Sequence, residues 1–241
     1  MKIICSIILT IAALAGCAKK KVDTMPTTPK DTTAAIVADT TSYLALGDSY
    51  TIGEAVANTE SYPHQLVRLV NREGLAFAYP PKIIATTGWT TDNLIDAIAQ
   101  SGLEGKTYDM VTLLIGVNDQ YQNLSQDNYR IKFKQVLETA IAFAGGNKKH
   151  VFVLSIPDWG VTPFAGGNDA QIGPVIDQFN AINKSISDEA GVNYLDITGI
   201  SRQAAAEPDL VAVDGLHPSG KMYGLWVDQL APKVISQFAK H

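Results

Sequence analysis

Cysteine is almost missing from this chain. Only Cys5 and Cys17 occur in its 241 residues. A domain built from the residues after them has neither a thiol nor a disulfide, so packing alone must hold it together. Positive charge is also in short supply, with 19 Lys and Arg against 24 Asp and Glu and a formal net charge of -5. Contact with phosphate backbones calls for a basic face, so nucleic acid is not an expected partner. A small neutral or anionic substrate is not excluded. There is no internal repeat. The apolar run over residues 3–14, interrupted by Cys5, Ser6 and Thr10, is too short for a permanent membrane span. What the chain does have is apolar content, 46% hydrophobic against 18% charged residues. That suffices for the core of one domain.

Lys2 followed by the short apolar run reads as the charged and hydrophobic regions of a secretory leader. The run ends in Leu14-Ala15-Gly16-Cys17, which resembles the bacterial lipobox. The resemblance implies a signal peptide over 1–16, cleavage before Cys17 and lipidation of Cys17. It also implies a place in the cell envelope, with the membrane reached through the N-terminal lipid anchor. Ala18 rather than Asp follows the cysteine, which points to an outer membrane if the host has one. The alternative is an ordinary secretory leader with Cys17 an incidental thiol. Residues 17–41 read as a tether: Lys19, Lys20 and Lys21 precede a Thr, Pro, Asp and Ala mixture that cannot bury enough surface to order itself. The lysines suit anionic headgroups, or simply water.

From residue 42 to 241 short apolar runs alternate with amphipathic stretches. Strands are expected over 43–46, 83–85, 110–115, 151–156 and 193–197, the first and third ending in Gly47 and Gly116. Helical periodicity runs over 62–73, 91–100, 128–144 and 174–190, with a short helix over 201–206 and a last one from Ser219 to about residue 238. The Gly-rich stretch 159–173 reads as a long loop. Strand and helix alternation with runs apolar on both faces favours a parallel sheet covered on each side. Such sheets bind ligands beyond the carboxyl ends of their strands.

The unusual residues fall at those ends. Gly47-Asp48-Ser49 would turn a serine hydroxyl out of the sheet edge. Serine needs a base within hydrogen-bond reach to act as a nucleophile. His64, His150 and His241 read as surface residues, whereas His217 lies in Asp214-Gly215-Leu216-His217-Pro218. There a carboxylate three positions earlier can hold one ring nitrogen and free the other to accept a proton. Gly88, Asn118 and the Ser49 N–H are candidate donors to a developing oxyanion. Each of these features alone is also ordinary loop or helix-start chemistry. Asp48 reads as a brace for its turn and Asp119 as structural. Trp89, Trp159 and Phe164 are candidates to line a pocket or to pack at its rim.

Taken in order, Gly47-Asp48-Ser49, Gly88, Gly116-Val117-Asn118-Asp119 and the Asp214 to Pro218 run resemble the four motif blocks of the SGNH, or GDSL, hydrolases. The resemblance implies a three-layer α/β/α sandwich, flavodoxin-like, with a parallel sheet of about five strands. It implies Ser49 as nucleophile, His217 as base and Asp214 as its partner, with Ser49, Gly88 and Asn118 as the oxyanion hole. No metal or other cofactor is implied, and a monomer acting on a small-molecule ester is expected. Tyr50-Thr51 and Trp89-Thr90-Thr91 depart from the commonest form of the blocks and leave the subfamily open. Short acyl esters, acetylated carbohydrates, lysophospholipids and aryl esters all fit. An acyltransferase or thioesterase would share the site. A catalytically inactive binding lipoprotein and a purely structural envelope lipoprotein are the other classes.

Overall fold

The computed structural model describes residues 40–239. The expected leader, Cys17, nearly all of the tether and His241 lie outside the described residues. Five strands, β1 (Tyr43–Gly47), β2 (Lys82–Ala85), β3 (Met110–Leu114), β4 (Val151–Leu154) and β5 (Asn193–Leu195), form one sheet in the order β2-β1-β3-β4-β5. Every pairing is parallel. This is the flavodoxin-like order, whose switch point lies between β1 and β3. Register aligns the three ends that matter: Gly47 lies opposite Ala85 on β2 and Leu114 on β3. The loops that follow therefore leave the sheet side by side.

β1, β3 and β4 are buried at every residue, which requires cover on both faces. Eight helices are described: α1 (Ser49–Ile52), α2 (Tyr62–Arg72), α3 (Thr91–Gln100), α4 (Val117–Tyr121), α5 (Gln126–Phe143), α6 (Asp169–Ala190), α7 (Thr198–Ser201) and α8 (Gly220–Phe238). They pack in two groups, α2 against α8, and α5 against both α3 and α6. Trp226, Phe133 and Phe152 are wholly buried in the resulting core. Each such side chain contributes roughly 1.5–3 kcal/mol or more. Among the described residues no helix is long and apolar enough to cross a membrane.

The three-layer α/β/α architecture follows the sequence reading, with local corrections. α5 begins at Gln126, two residues earlier than its periodicity, because Ser125 caps it by accepting from the Asn128 N–H. The stretch expected to be a long loop folds into two 3-10 turns, Trp159–Val161 and Pro163–Ala165, and then into the start of α6. Pro174 therefore lies inside α6 and not at its first position. Ile172 in the extra turn packs on Gly160 of the Trp159–Val161 segment, a tertiary contact that offsets the backbone hydrogen bond Pro174 lacks. β4 and β5 each stop two residues short of their apolar runs.

Gly47 makes the first strand end possible. A Cβ placed there would lie 2.1 Å from Thr51 Oγ1 and 2.4 Å from the Leu114 carbonyl oxygen. No rotation of a side chain relieves the second clash, because it is with backbone. Gly47→Ala should lower stability by about 1–3 kcal/mol or more, read as a fall in the denaturation midpoint. A midpoint equal to that of the wild type would contradict this packing.

Candidate active site

The chain turns from β1 directly into α1. Asp48 is the N-cap, its Oδ1 accepting the Tyr50 N–H at 3.0 Å. Ser49 is then the first helical residue, so its N–H belongs to the donors that a helix start leaves unpaired. Ser49 is only 4% exposed. Asp48 is wholly buried, and its Oδ2 has no partner. Burial pushes the Asp48 carboxyl up to about 8; the Tyr50 N–H opposes the rise and the nearby Asp119 carboxylate adds to it. Asp48 thus braces the serine turn, as its position in the sequence suggests.

His217 is carried by a tight loop before α8, closed by an antiparallel bridge between Val211 and Pro218. Ala212 N–H donates to the His217 carbonyl at 2.7 Å. Inside the loop Asp214 Oδ1 accepts the N–H groups of Leu216 and His217, each at 3.0 Å. Its Oδ2 lies 2.5 Å from His217 Nδ1. A proton on Nδ1 satisfies that carboxylate and leaves Nε2 as an acceptor. Burial raises the affinity of Asp214 for a proton, but the His217 ring and the two backbone donors outweigh it and hold the carboxyl below its usual range.

The other two loops supply donors. Gly88 has φ +83, and a Cβ there would meet nothing within 4 Å. Glycine is needed for the backbone conformation and not for space. Asn118 lies on α4, and its Nδ2 donates to the Trp89 carbonyl at 2.9 Å. One of the two amide N–H bonds is thereby used to fix the side chain beside Gly88, and the other is left over. Among the described residues neither the Ser49 N–H nor the Gly88 N–H has an acceptor within the protein. Asp119 accepts from Thr91 N–H at 3.0 Å and Thr91 Oγ1 at 2.6 Å, tying α4 to α3.

Ser49, Gly88, Asn118 and His217 line one cavity of about 170 Å³, with Asp214 behind the imidazole. Trp89 and Trp159 both pack against the core, but Trp89 is not among the lining residues, whereas Trp159 and Phe164 are in the cavity wall. Tyr121, which the sequence reading passed over, joins them. The available signal was its spacing of three residues from Asn118 on one helix. Tyr50 was also missed; its ring centroid is 5.5 Å from that of His217. His64 and His150 are half-buried packing residues, against Tyr79 and Phe238 respectively. A larger groove, about 710 Å³, runs along α2 and α8, but no serine or histidine lines it. Among the described residues no group of His, Cys, Asp or Glu is arranged to hold a metal ion.

The buried carboxyl under the serine gives a pH signature. Folded, Asp48 keeps its proton up to about pH 8, whereas its ordinary value is 3.8. Between those values the folded state binds more protons than the unfolded one, so the Asp48 contribution to stability falls as pH rises from about 4 to 8. Asp48→Asn cannot ionise and should flatten that fall, gaining on wild type toward pH 8 in denaturation midpoints measured across the range. An identical pH slope in both proteins would show that Asp48 is not a buried neutral acid.

Residues 45–225 match the model of the GDSL-like lipase/acylhydrolase family. No curated protein sequence matches the chain. Among solved structures, the psychrotrophic esterase EstA from Pseudoalteromonas sp. has 16% identity and a TM-score of 0.62, over 83% of this chain and 100% of that one. The lipase/acylhydrolase from Enterococcus faecalis has 20% identity and a TM-score of 0.62, over 83% and 98%. The acetylxylan esterase Axe2 from Geobacillus stearothermophilus has 18% identity and a TM-score of 0.59, over 83% and 95%. These likenesses concern the fold, and the family model concerns the sequence. With that model spanning most of its length, the chain belongs to the GDSL-like lipase/acylhydrolase family and is a carboxylic ester hydrolase.

Proposed function

We propose that the protein is a serine esterase that forms an acyl-enzyme at Ser49 and acts on small or short-chain esters. The observation that carries this reading is the convergence of Ser49, His217, Gly88 and Asn118 on one cavity, with Asp214 bonded to the far side of the imidazole. The Ser49 hydroxyl gives its proton to His217 Nε2 as its oxygen bonds to the ester carbonyl carbon. The negative oxygen so formed takes hydrogen bonds from the Ser49 and Gly88 N–H groups and the free Asn118 amide hydrogen. The carbon–oxygen bond to the alcohol then breaks, and the imidazolium returns its proton to the departing oxygen. Water repeats the sequence, releasing the acid and restoring Ser49. Asp214 stays ionised throughout and stabilises the imidazolium.

Size supports a short acyl group. A cavity of about 170 Å³ is smaller than the roughly 300–1,000 Å³ of sites for drug-sized ligands. The acetylxylan esterase among the structural neighbours agrees with a small acyl group such as acetyl. Acetylated carbohydrate or a lysophospholipid with its chain outside the cavity are candidates. Transfer to an acceptor alcohol or thiol would use the same intermediate. The catalytic domain, from residue 42 onward, is proposed to act as a monomer on the tether over 17–41. A lipid on Cys17 would hold it to the cell envelope. Replacing Cys17 with Ser should then release the protein from membranes, and a Cys17→Ser protein still in the membrane fraction would sink the anchor.

The chemistry is tested with soluble acetyl and butyryl esters. Wild type should hydrolyse them and Ser49→Ala should not. Losing one oxyanion donor typically costs about 3–4 kcal/mol of barrier. Asn118→Ala should therefore lower kcat roughly a hundredfold or more. Full turnover by Asn118→Ala would take its amide out of the mechanism.

A further inference from the structure

We propose that Tyr121, Trp159 and Phe164 form a subsite for an apolar, ring-sized substituent of the ester, and that Gln120 is its positioning residue. The inference rests on the esterase reading and adds a substrate preference to it. Tyr121 and Trp159 have ring centroids 5.4 Å apart and planes inclined at 69°. Trp159 and Phe164 are 6.1 Å apart at 61°, and Tyr121 and Phe164 are 6.4 Å apart at 43°. All three distances fall in the favourable range for aromatic pairs. Their tilts leave no two of the rings coplanar. They give a concave apolar corner that takes an aryl or cyclic alkyl group.

Exposure separates Tyr121 and Phe164 from core packing, while Trp159 anchors them to the core. Tyr121 and Phe164 are each 52% exposed, yet both line the cavity that holds Ser49 and His217. Large rings half in water at the mouth of a cavity mark a binding surface. The Trp159 ring and the Phe164 backbone are nonetheless fixed by hydrogen bonds. Trp159 Nε1 donates to Gln120 Oε1 at 2.8 Å, and Gln120 is buried on α4. Asp158, just before the indole, is 3% exposed. It accepts the Gly160 N–H at 2.8 Å and Arg202 Nε at 2.9 Å. Phe164 N–H donates to the Gly215 carbonyl at 2.9 Å, which joins the wall to the loop that carries His217. Preorganisation of this kind cuts the ordering cost of binding.

The substituent can belong to the acyl or to the alcohol half of the ester, and matched substrates distinguish the two. Benzyl acetate against ethyl acetate probes the alcohol side, and methyl phenylacetate against methyl acetate the acyl side. Wild type should favour the ring-bearing member of one pair in kcat/KM. Tyr121→Ala and Phe164→Ala, each at a half-exposed ring, should cut that ratio about three- to tenfold. Gln120→Met should raise KM for the ring-bearing ester more than it lowers kcat, whereas a merely structural role would depress both members of the pair alike. Tyr79→Ala, at an exposed ring of the α2–α8 groove, should leave both ratios as they are. Unchanged ratios in all three site variants would overturn the subsite while leaving the esterase reading intact. A wild type inactive on all four esters would overturn the esterase reading, and the subsite with it.

Discussion

Asp214 accepts three hydrogen bonds inside a span of four residues, two from backbone and one from the imidazole. The same carboxylate therefore shapes the loop and orients the imidazole. The bridge between Val211 and Pro218 and the Ala212 to His217 bond close the loop from outside. The net result is a carboxyl held ionised despite partial burial, and an imidazole with one nitrogen committed and one available. The chemistry proposed for Ser49 depends on this arrangement, since a serine without an oriented base is a poor nucleophile.

The sheet supplies the other half. Parallel pairing of β2, β1 and β3 in register brings the loops bearing Gly88, Ser49 and Asn118 to one edge. Close packing then fixes them: Gly47 lies against Thr51 and the Leu114 carbonyl, Asn118 is bonded to Trp89, and Asp119 to Thr91. The two carboxylates near the serine have different surroundings. Asp48 is buried without a partner on one oxygen and is driven toward its neutral form, whereas Asp214 is hydrogen-bonded on both oxygens and driven toward its charged one. Their environments separate a brace from an orienting group.

Most of this was legible in the sequence where local signals and tertiary demands agree. The buried runs of β1, β3 and β4, the Ser219 cap of α8 and Gly191 after α6 could be read directly. So could the four motif blocks, because each is a short fixed stretch at a strand or helix end. Features set by contacts remote in sequence were not legible. α6 runs through Pro174 because its first turn packs on the segment after β4. Tyr121 and Tyr50, by contrast, stand three and one residues from Asn118 and Ser49, so their place at the cavity follows from local helix geometry that composition does not announce. Trp89 and Trp159 looked alike as loop tryptophans, and both pack on the core, yet of the two Trp159 alone also lines the site.

The central claim is that Ser49 carries the acyl group. Exposure of the protein to a reactive phosphonate ester, followed by intact mass and peptide mapping, tests it most directly. The account predicts a single adduct on Ser49, formed slowly in Asp214→Asn and absent in Ser49→Ala. An adduct at another residue, or ester hydrolysis retained by Ser49→Ala, would contradict it.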